Sequence, residues 1–401
     1  MREPYVFSNE DSPFSPDVPP LERRRRVLDV GADVVTDETG MVIDFMAEDD
    51  VEAVLNDSRF AAVAIPTLQL SGVTDGPLYD LWTQLMFAKD ADEHRRIRGV
   101  VAREFTPRVI EQRRPSLEHL ADELCTKLES TATTNLWSTF AVPFAARVAC
   151  DAVGIPEADA DQAGEWSFDL ARAFFPFMSP ERRAVAERSA VEFLAYIDGL
   201  LEHRRSNPAD DIISRLLDEE VAAELSPEET RALAANLIFG GLEATAKSLS
   251  TAVYHLLLHD RYAMLSQRPD LIPTAVLELI RFAPPAQNVA RLAPEDMVCQ
   301  DVALTAGQVV SANIVAACRD PKRYSNPDEL DIERSPGKQL AFGVGPHYCL
   351  GANLAKTGMA VAIEKLTARF PAMSLAEGDG GVEWDYEGFA GVVRLEVDLG
   401  R

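Results

Sequence analysis

Hydrophobic residues recur every three to four positions over most of the chain, a spacing that predicts α-helices with one buried face. The pattern is clearest between residues 105 and 225, where short polar stretches separate the periodic segments. The predicted helices in this part are Val109–Glu129, Thr139–Val153, Ala160–Phe177, Glu181–Ser206 and Asp210–Glu220. We therefore expect a mainly helical fold.

A longer helix is predicted to begin at Ser226. Ser226 and Glu229 have the spacing of a capping box, and Pro227 suits the first helical turn. The helical pattern continues to about Leu258, which gives about 33 residues and a length of roughly 50 Å. A helix of that length can cross the whole molecule.

One face of this long helix carries small residues. Leu237, Gly240, Gly241, Ala244 and Ser248 all lie on it by their helical spacing. Adjacent glycines inside a helix cost about 1 kcal/mol each relative to alanine, so they need a reason. Close packing against another helix is one explanation. The other is a thin face that lets a flat cofactor and a small molecule approach the backbone.

Strand patterns are short and lie near the two ends of the chain. Asp33–Thr36 and Met41–Phe45 are separated by turn residues and predict a hairpin, and Gly388–Leu399 predicts a second hairpin. Asp49–Leu55 is predicted to be a short helix, and residues 61–89 to be a long, irregular apolar stretch of the kind that lines binding sites. Together these elements predict a mainly α fold with small β-sheets (α+β).

The composition is that of a globular protein, with 401 residues of which 47% are hydrophobic. No linker rich in serine, glycine or proline divides the chain, so we expect residues 1–401 to form a single domain. Residues 1–20, which are rich in proline, are expected to be an irregular N-terminal segment.

Charge and cysteine content limit the possible partners and compartment. A net charge of -26 argues against binding to nucleic acid or to an anionic membrane surface. No stretch approaches the roughly 20 apolar residues of a membrane span, and the N-terminus lacks a secretory signal pattern. The five cysteines are odd in number and scattered, which suggests a reducing compartment. We expect a soluble, cytoplasmic protein.

The most informative stretch is a glycine-rich loop, Phe342–Gly351, that precedes another predicted helix. Its cysteine, Cys349, stands just before the helix N-terminus, where backbone N–H groups and the helix dipole favour a thiolate. A thiolate there can ligate a metal. The alternative is a buried, inert cysteine, the more common state of a lone cysteine. Zinc is a poor candidate because it needs about four ligands and the chain has no Cys-x-x-Cys pair.

The loop has the pattern Phe-x-x-Gly-x-x-x-Cys-x-Gly, which resembles the haem-ligand loop of the cytochrome P-450 family of haem-thiolate monooxygenases. Gly240–Thr245 resembles the oxygen-activating segment of that family, and Glu278-Leu-Ile-Arg281 its Glu-x-x-Arg motif. In the family that pair fixes the fold and takes a third partner from a Pro-x-Arg-Phe stretch. The matching stretch here, Pro327–Leu330, has no arginine.

The resemblance implies a haem b cofactor between the long central helix and the helix that follows the cysteine loop, with Cys349 as the axial ligand of the iron. His94 and Arg98, four residues apart on one predicted helix, and Arg291 would then neutralise the haem propionates. The cofactor-binding residues implied by the resemblance are His94, Arg98, Arg291, Phe342, Gly343, His347 and Cys349.

The oxygen-activating segment departs from the family at one position. Glu243 matches the family's acidic residue and is a candidate for proton relay, with a structural role as its alternative. Ala244 stands where the family has a threonine. Thr245 comes one residue later, about 100° further around the helix, and cannot simply replace it.

The implied function is oxidation of a small natural-product-type substrate, by hydroxylation in the first instance, with O₂ and electrons from a ferredoxin and an NAD(P)H-dependent ferredoxin reductase. Two alternatives stay open: a haem-thiolate enzyme for coupling, cyclisation or rearrangement without oxygen insertion, and a haem sensor without turnover. We expect a monomer. A basic patch for an acidic redox partner is predicted from Arg96, Arg103, Arg113, Arg114, Lys338 and Lys356.

Overall fold

The structure is a computed structural model that describes residues 1–8, 12–13, 20–89, 91–174, 178–335, 337–376, 381–386 and 388–400. In this described part, the helices numbered α1 to α17 are, in chain order, Pro20–Asp29, Glu48–Asn56, Ala64–Leu70, Pro77–Gln84, Ala91–Ala102, Pro107–Gln112, Arg114–Leu128, Val142–Val153, Ala160–Ala171, Pro180–Ser206, Ile212–Arg215, Glu219–Ala222, Pro227–Leu258, Tyr262–Gln267, Ile272–Phe282, Ile314–Ala317 and Ala352–Arg369.

The strands are short. Numbered β1 to β11, they are Tyr5–Phe7, Val34–Asp37, Val42–Phe45, Thr133–Asn135, Asn288–Leu292, Met297–Cys299, Val302–Leu304, Val309–Asn313, Ser374–Leu375, Val382–Asp385 and Gly391–Asp398. The mainly helical fold class with small sheets is confirmed.

Helix α13 is the long central helix that the sequence predicts. The capping box forms as expected, because the Ser226 hydroxyl accepts the backbone N–H of Glu229 and the Glu229 carboxylate accepts the N–H of Ser226. The helix extends for 32 residues and packs against α8, α9, α10 and α17. It therefore lies between the helical layer built from the middle of the chain and the helix after the cysteine loop.

The largest sheet has the strand order β1-β2-β3-β8-β5. The predicted hairpin between the second and third strands is confirmed, with Gly40 in the left-handed region at φ 60°. Strand β8 joins this hairpin, in parallel with β3, to the antiparallel strand β5. Strand β5 stands at the end of this strand order and carries Arg291, which is half-buried.

The C-terminal hairpin pairs β10 with β11, and β11 also pairs with β4 and β9. The prediction placed this hairpin within Gly388–Leu399, but that range contains only the second strand. The first strand, Val382–Asp385, lies earlier in the chain, and its register with β11 shifts between Glu383 and Trp384. That irregularity hides the two-residue alternation on which the prediction relied.

Residues 61–89 are not the irregular stretch that the sequence suggested. They form α3 and α4, because Leu78, Leu81 and Trp82 follow a helical spacing and are buried. Trp82 packs against Phe239 of the central helix, with the two ring centroids 5.5 Å apart. The helices are short, so the apolar periodicity was too brief to stand out from the sequence.

Predicted helix Thr139–Val153 is an α-helix only from Val142, after a π-helical turn at Trp137–Ala141, and three other predicted helices differ more. Val109–Glu129 divides into α6 and α7, because Pro115 lacks an N–H and its ring would clash with a carbonyl in a continuous helix. Asp210–Glu220 contains only the short α11 and the start of α12. Ala160–Phe177 ends as an α-helix at Ala171, and its residues 175–177 lie outside the described part.

The N-terminal segment is also less irregular than expected, since β1 lies within residues 1–20 and pairs in parallel with β2. The rest of this prediction falls largely on residues outside the described part. Among the helices that the structure describes, none combines the length and the hydropathy required to cross a membrane.

Candidate active site

The cysteine loop is closed by backbone contacts at both ends. The N–H of Cys349 donates to the carbonyl of Phe342 over 2.9 Å. Gly343 and Gly345 have φ values of 71° and 74°, which side chains rarely adopt. A Cβ on Gly345 would also lie 2.7 Å from Oδ1 of Asn56, so this glycine is required for the loop to pack against the end of α2.

Cys349 differs from the other four cysteines of the chain, which are buried, because its side chain is exposed. Surrounding protein nevertheless desolvates the thiol and raises its pKa, while the N–H of Gly351, Arg98 and Lys356 act in the opposite direction. An accessible thiol that is still desolvated lies in a recess. The sequence suggested that the helix N-terminus would favour a thiolate, but in this structure desolvation outweighs that effect.

Basic residues from three separate segments meet beside this loop. The rings of His94 and His347 lie 3.9 Å apart, and Nη2 of Arg98 donates to the carbonyl of Tyr348 over 2.7 Å. Burial, followed by the nearby positive charges of Arg98 and Arg291, lowers the pKa of His94 to about 4. Burial together with neighbouring His94 and the two arginines lowers the pKa of His347 to about 3.

This cluster needs an anion. Within the described ranges, no carboxylate forms an ion pair with Arg98, and burial lowers the pKa of its guanidinium. Desolvated positive charge is costly unless a negative group compensates it, and carboxylates are the preferred partners of arginine. The two propionates of a haem would supply that charge beside the thiol of Cys349. The residues present therefore fit a haem.

The central helix offers an open face, as the sequence predicts. Gly240 and Gly241 are exposed although they stand in the middle of α13, and Ala244 is half-buried. A Cβ added to Gly241 would meet no atom within 4 Å, and the same is true of Gly351 at the start of α17. Gly241 and Gly351 thus border open space, whereas a Cβ on Gly240 would lie 3.3 Å from Nδ2 of Asn236 on the same helix. This favours the second explanation of the thin face, an approach for a flat cofactor and a small molecule.

The hydroxyl of Thr245 is engaged with its own helix. Oγ1 donates to the carbonyl of Gly241, one turn earlier, over 2.5 Å. The hydrogen of this hydroxyl is thereby used, and Ala244 beside it has none to offer. In this structure the Thr245 hydroxyl is thus turned toward its own helix.

Glu243 lies in a buried ion pair that the sequence analysis did not identify. Nζ of Lys247 donates to Oε1 of Glu243 over 2.6 Å and to Oδ2 of Asp385 over 2.9 Å. Oε2 of Glu243 is enclosed and has no hydrogen-bond partner among the described residues. Burial raises the pKa of Glu243, and Lys247 opposes that rise. The four-residue spacing of Glu243 and Lys247 was the available signal.

The pair Glu278–Arg281 has a third partner, which the sequence analysis also missed. Nε of Arg281 donates to Oε2 of Glu278 over 2.7 Å, and Arg281 also reaches the carbonyls of Cys318 and Pro327. Nε of Arg334 donates to Oε1 of Glu278 over 3.1 Å. The third partner, Arg334, therefore comes from a position just beyond the Pro327–Leu330 stretch to which the family pattern points.

The predicted basic patch is largely neutralised. Only Lys356 of its six residues forms no ion pair within the described part of the chain, and its Nζ lies 5.9 Å from the ring centroid of Phe342. The other five are paired as Arg96–Glu229, Arg103–Glu104, Arg113–Asp151, Arg114–Glu111 and Lys338–Glu52. The prediction overlooked the acidic residues that an acidic chain supplies to each cation.

Comparison with known proteins places this geometry in context. A family model described as cytochrome P450 matches residues 260–379, which include the Glu278–Arg281 pair and the cysteine loop. Over 351 residues, 87% of each chain, the protein is 34% identical to a biotin biosynthesis cytochrome P450 of Bacillus subtilis (strain 168). It is 31% identical to a 6-deoxyerythronolide B hydroxylase of Saccharopolyspora erythraea, across 84% of each chain.

The fold has close counterparts among solved structures. The crystal structure of P450BioI with an acyl carrier protein that carries hexadec-9Z-enoic acid superposes with a TM-score of 0.85. That comparison covers 93% of this chain and 96% of the other at 30% identity. The similarity thus extends over nearly the whole chain.

Proposed function

The chain belongs to the cytochrome P450 family and is a haem-dependent monooxygenase. From that premise we propose that it oxidises a small natural-product-type substrate, by hydroxylation in the first instance. The observation that carries this proposal is the convergence of an accessible thiol, two arginines and two uncharged imidazoles beside an open helix face. Relatives named for hydroxylation and for biosynthesis support the same substrate class.

Within this function, Cys349 would hold a b-type haem through its thiolate. A haem held by a thiolate supplies the activation of dioxygen, and the protein supplies orientation, electrostatics and a dry site. Arg98 and Arg291 would carry the positive charge that the propionates need, while His94 and His347 can donate hydrogen bonds as neutral rings. Phe342 and Gly343 complete the loop on which the thiol is presented.

Proton supply must differ from the family's usual arrangement. Ala244 has no hydroxyl, the Thr245 hydroxyl donates to Gly241, and both oxygens of Glu243 are enclosed, one of them by Lys247. No group of this helical turn presents a free proton donor to the open face. We assign that role to a hydroxyl or amide of the substrate, or to a water that the substrate holds. Loss of such a positioned donor typically reduces the rate by roughly 10²- to 10⁴-fold.

The variant Ala244→Thr tests this proposal, because it restores a hydroxyl at the open face. Substrate analogues without the polar group should be turned over poorly by the wild-type enzyme, and the variant should partly rescue them and release less peroxide. Product analysis with labelled O₂ completes the test. If coupling is unchanged with every substrate and no product carries labelled oxygen, the proposal is wrong.

That negative result would favour a second candidate function, which is oxidative coupling, cyclisation or rearrangement without oxygen insertion. The observation in its favour is Ala244 itself, since a small side chain beside two glycines makes room for a bulky substrate. The labelled-oxygen measurement separates the two functions directly.

Electrons would reach the enzyme from a ferredoxin and an NAD(P)H-dependent ferredoxin reductase. Because most of the basic patch is neutralised, Lys356 is the cation best placed to attract an acidic partner near the cysteine loop. Electron-transfer rates that fall with ionic strength would support such docking, whereas rates that do not would oppose it. We further propose that residues 1–401 form a single domain, that the protein is a monomer and that it works in the cytoplasm.

A further inference from the structure

Lys247 is one of the most completely buried charged side chains in the described part of the chain, with 1% of its side chain exposed. Its ammonium group has three N–H bonds, and among the described residues Nζ donates to three acceptors. They are Oε1 of Glu243 at 2.6 Å, Oδ2 of Asp385 at 2.9 Å and the carbonyl of Phe389 at 2.8 Å. Only the first lies on α13, so Lys247 joins the central helix to the C-terminal hairpin.

The same face of α13 holds the hairpin at two further points. The hydroxyl of Ser250 donates to the carbonyl of Val392 over 2.5 Å, and the N–H of Val392 donates to Oγ1 of Thr251 over 2.9 Å. A Cβ on Gly391 would lie 2.6 Å from Cβ of Lys247, so only glycine allows this approach. The contact is close enough that the position of Lys247 fixes the position of the strand.

The tip of the hairpin, residues 388–390 just before β11, borders the site. On one side it meets Lys247, which lies one helical turn from Glu243 and Ala244. On the other side, the N–H of Ala390 donates to the carbonyl of Pro285 over 2.7 Å, in the segment that leads into β5 and Arg291. The hairpin tip is therefore held between two segments that each contribute to the candidate active site.

We propose that Lys247 is a positioning residue that fixes the tip of the C-terminal hairpin beside the site and thereby restricts which substrates fit. The restriction of substrates rests on the proposed monooxygenase function. The placement of the hairpin by Lys247 does not depend on that function. A lysine is a costly choice for this task, because an apolar side chain of similar volume often stabilises a protein equally well. The ammonium group adds a geometric requirement that an apolar side chain lacks, because its acceptors must all lie within hydrogen-bond distance of Nζ.

The experiment compares Lys247→Met with Lys365→Met by amide hydrogen exchange in the haem-loaded protein. Lys365 joins α17 to α7 through Asp122 at the surface, so its variant is a matched control for loss of a lysine ion pair. In Lys247→Met, the amides of Ala390 and Val392 should exchange at least about tenfold faster, because the hairpin opens locally more often. The amide of Leu395, bonded to Asn135, should keep its rate.

A second readout distinguishes positioning from simple stabilisation. Dissociation constants are measured by ligand-induced spectral shifts for a series of compact and extended ligands. Positioning predicts that Lys247→Met changes the ranking of these ligands, whereas general loosening weakens all of them by a similar factor. If exchange at Ala390 and Val392 matches the wild type, the proposal is overturned whatever the enzyme oxidises.

Asp385→Ala carries the test if Lys247→Met does not fold, because alanine removes the acceptor. The carboxylate side chain of Asp385 is 37% exposed, and among the described residues the variant leaves Lys247 the acceptors Glu243 and Phe389. Faster exchange at Ala390 with an altered ligand ranking would support the proposal. Wild-type exchange and an unchanged ranking would refute it.

Discussion

Two buried ion pairs share the same local design but differ in their surroundings. Glu278 and Arg281 stand three residues apart on α15, and Glu243 and Lys247 four residues apart on α13. Arg334, the N–H of Asp331 and three backbone carbonyls complete the first pair, and among the described residues no oxygen of Glu278 is left enclosed without a partner. The second pair leaves Oε2 of Glu243 enclosed and unbonded among the described residues.

The surroundings fix the Glu278–Arg281 pair, which we call the brace, whereas the Glu243–Lys247 pair is an adjustable contact. Arg281 has no exposed side-chain area, and its guanidinium holds segments that come before the cysteine loop. Lys247 instead depends on Asp385, whose side chain is 37% exposed and belongs to a hairpin. A similar spacing of the two charged residues along a helix therefore does not imply a similar function. The role of each pair is decided by the hydrogen-bond partners that distant segments of the chain supply to it.

The largest expected effect is on the brace. Arg281→Met leaves Glu278 buried with Arg334 and the N–H of Asp331 as partners, and breaking a buried pair typically costs about 3–5 kcal/mol of folding free energy. We expect a large fall in the free energy of unfolding, measured by urea denaturation, together with low haem content. A loss below about 1 kcal/mol, the size expected of a surface pair, would contradict the role of brace.

Arg334→Met is the matched variant on the same centre. It leaves both hydrogen bonds between Arg281 and Glu278 in place, and the Arg334 side chain is 13% exposed. We expect a smaller loss, about 1.5–3 kcal/mol, as for one hydrogen bond to a charged group. Equal losses in the two variants would show that the arginines act as one unit.

Arg98 offers a contrast with both pairs, because no carboxylate pairs with it in the described ranges. Arg98→Ala should therefore change the stability of the haem-free protein little and weaken haem retention instead. Removal of one charge-assisted partner should cost about 1.5–3 kcal/mol of haem-binding free energy, measured by haem transfer to a competing acceptor protein. Arg291→Ala is expected to weaken haem binding by a similar amount. Retention as tight as in the wild type would refute the propionate assignment.

The smallest effect concerns the pH dependence of the second pair. Burial raises the pKa of Glu243 above 4.5, so the folded chain binds more protons than the unfolded chain between pH 4.5 and that raised value. This contribution to stability is present at low pH and is lost as the pH rises through the window. Glu243→Gln cannot titrate and should gain relative to the wild type with rising pH, by at most about 1.4 kcal/mol per pH unit.

Urea unfolding of the two proteins at several pH values from 4.5 to 7 measures this difference. A difference that stays constant or falls with pH would mean that Lys247 lowers the pKa of Glu243 more than burial raises it. The pair would then resemble the brace, and the contrast between the two centres would disappear.

Local signals explain what the sequence could predict. The cap at Ser226, the glycines of the cysteine loop and the position of Cys349 depend on neighbours within a few residues. His94 and Arg98 share a helix face for the same reason. The approach of Arg291 and His347 to them was an expectation from family resemblance alone, because periodicity carries no information about contacts between distant segments.

Two of the missed partners act over long sequence separations. Arg334 reaches Glu278 across 56 positions, and Asp385 reaches Lys247 across 138. Charge spacing within one helix indicates only half of each cluster, so these partners could not be selected from many other charged residues. The division of Val109–Glu129 had a local signal in Pro115, which the apolar periodicity on both sides concealed.

Cys349 is expected to bind the haem iron as a thiolate. The spectrum of the reduced, carbon-monoxide-bound protein tests this ligation most directly. Thiolate ligation shifts the Soret band of this complex to the red, so the wild-type protein should show the shifted band and Cys349→Ala should lose it. Cys318→Ala, which alters a buried cysteine, is the control and should retain the band. A histidine-type band from folded protein with Cys349 intact would contradict the assignment.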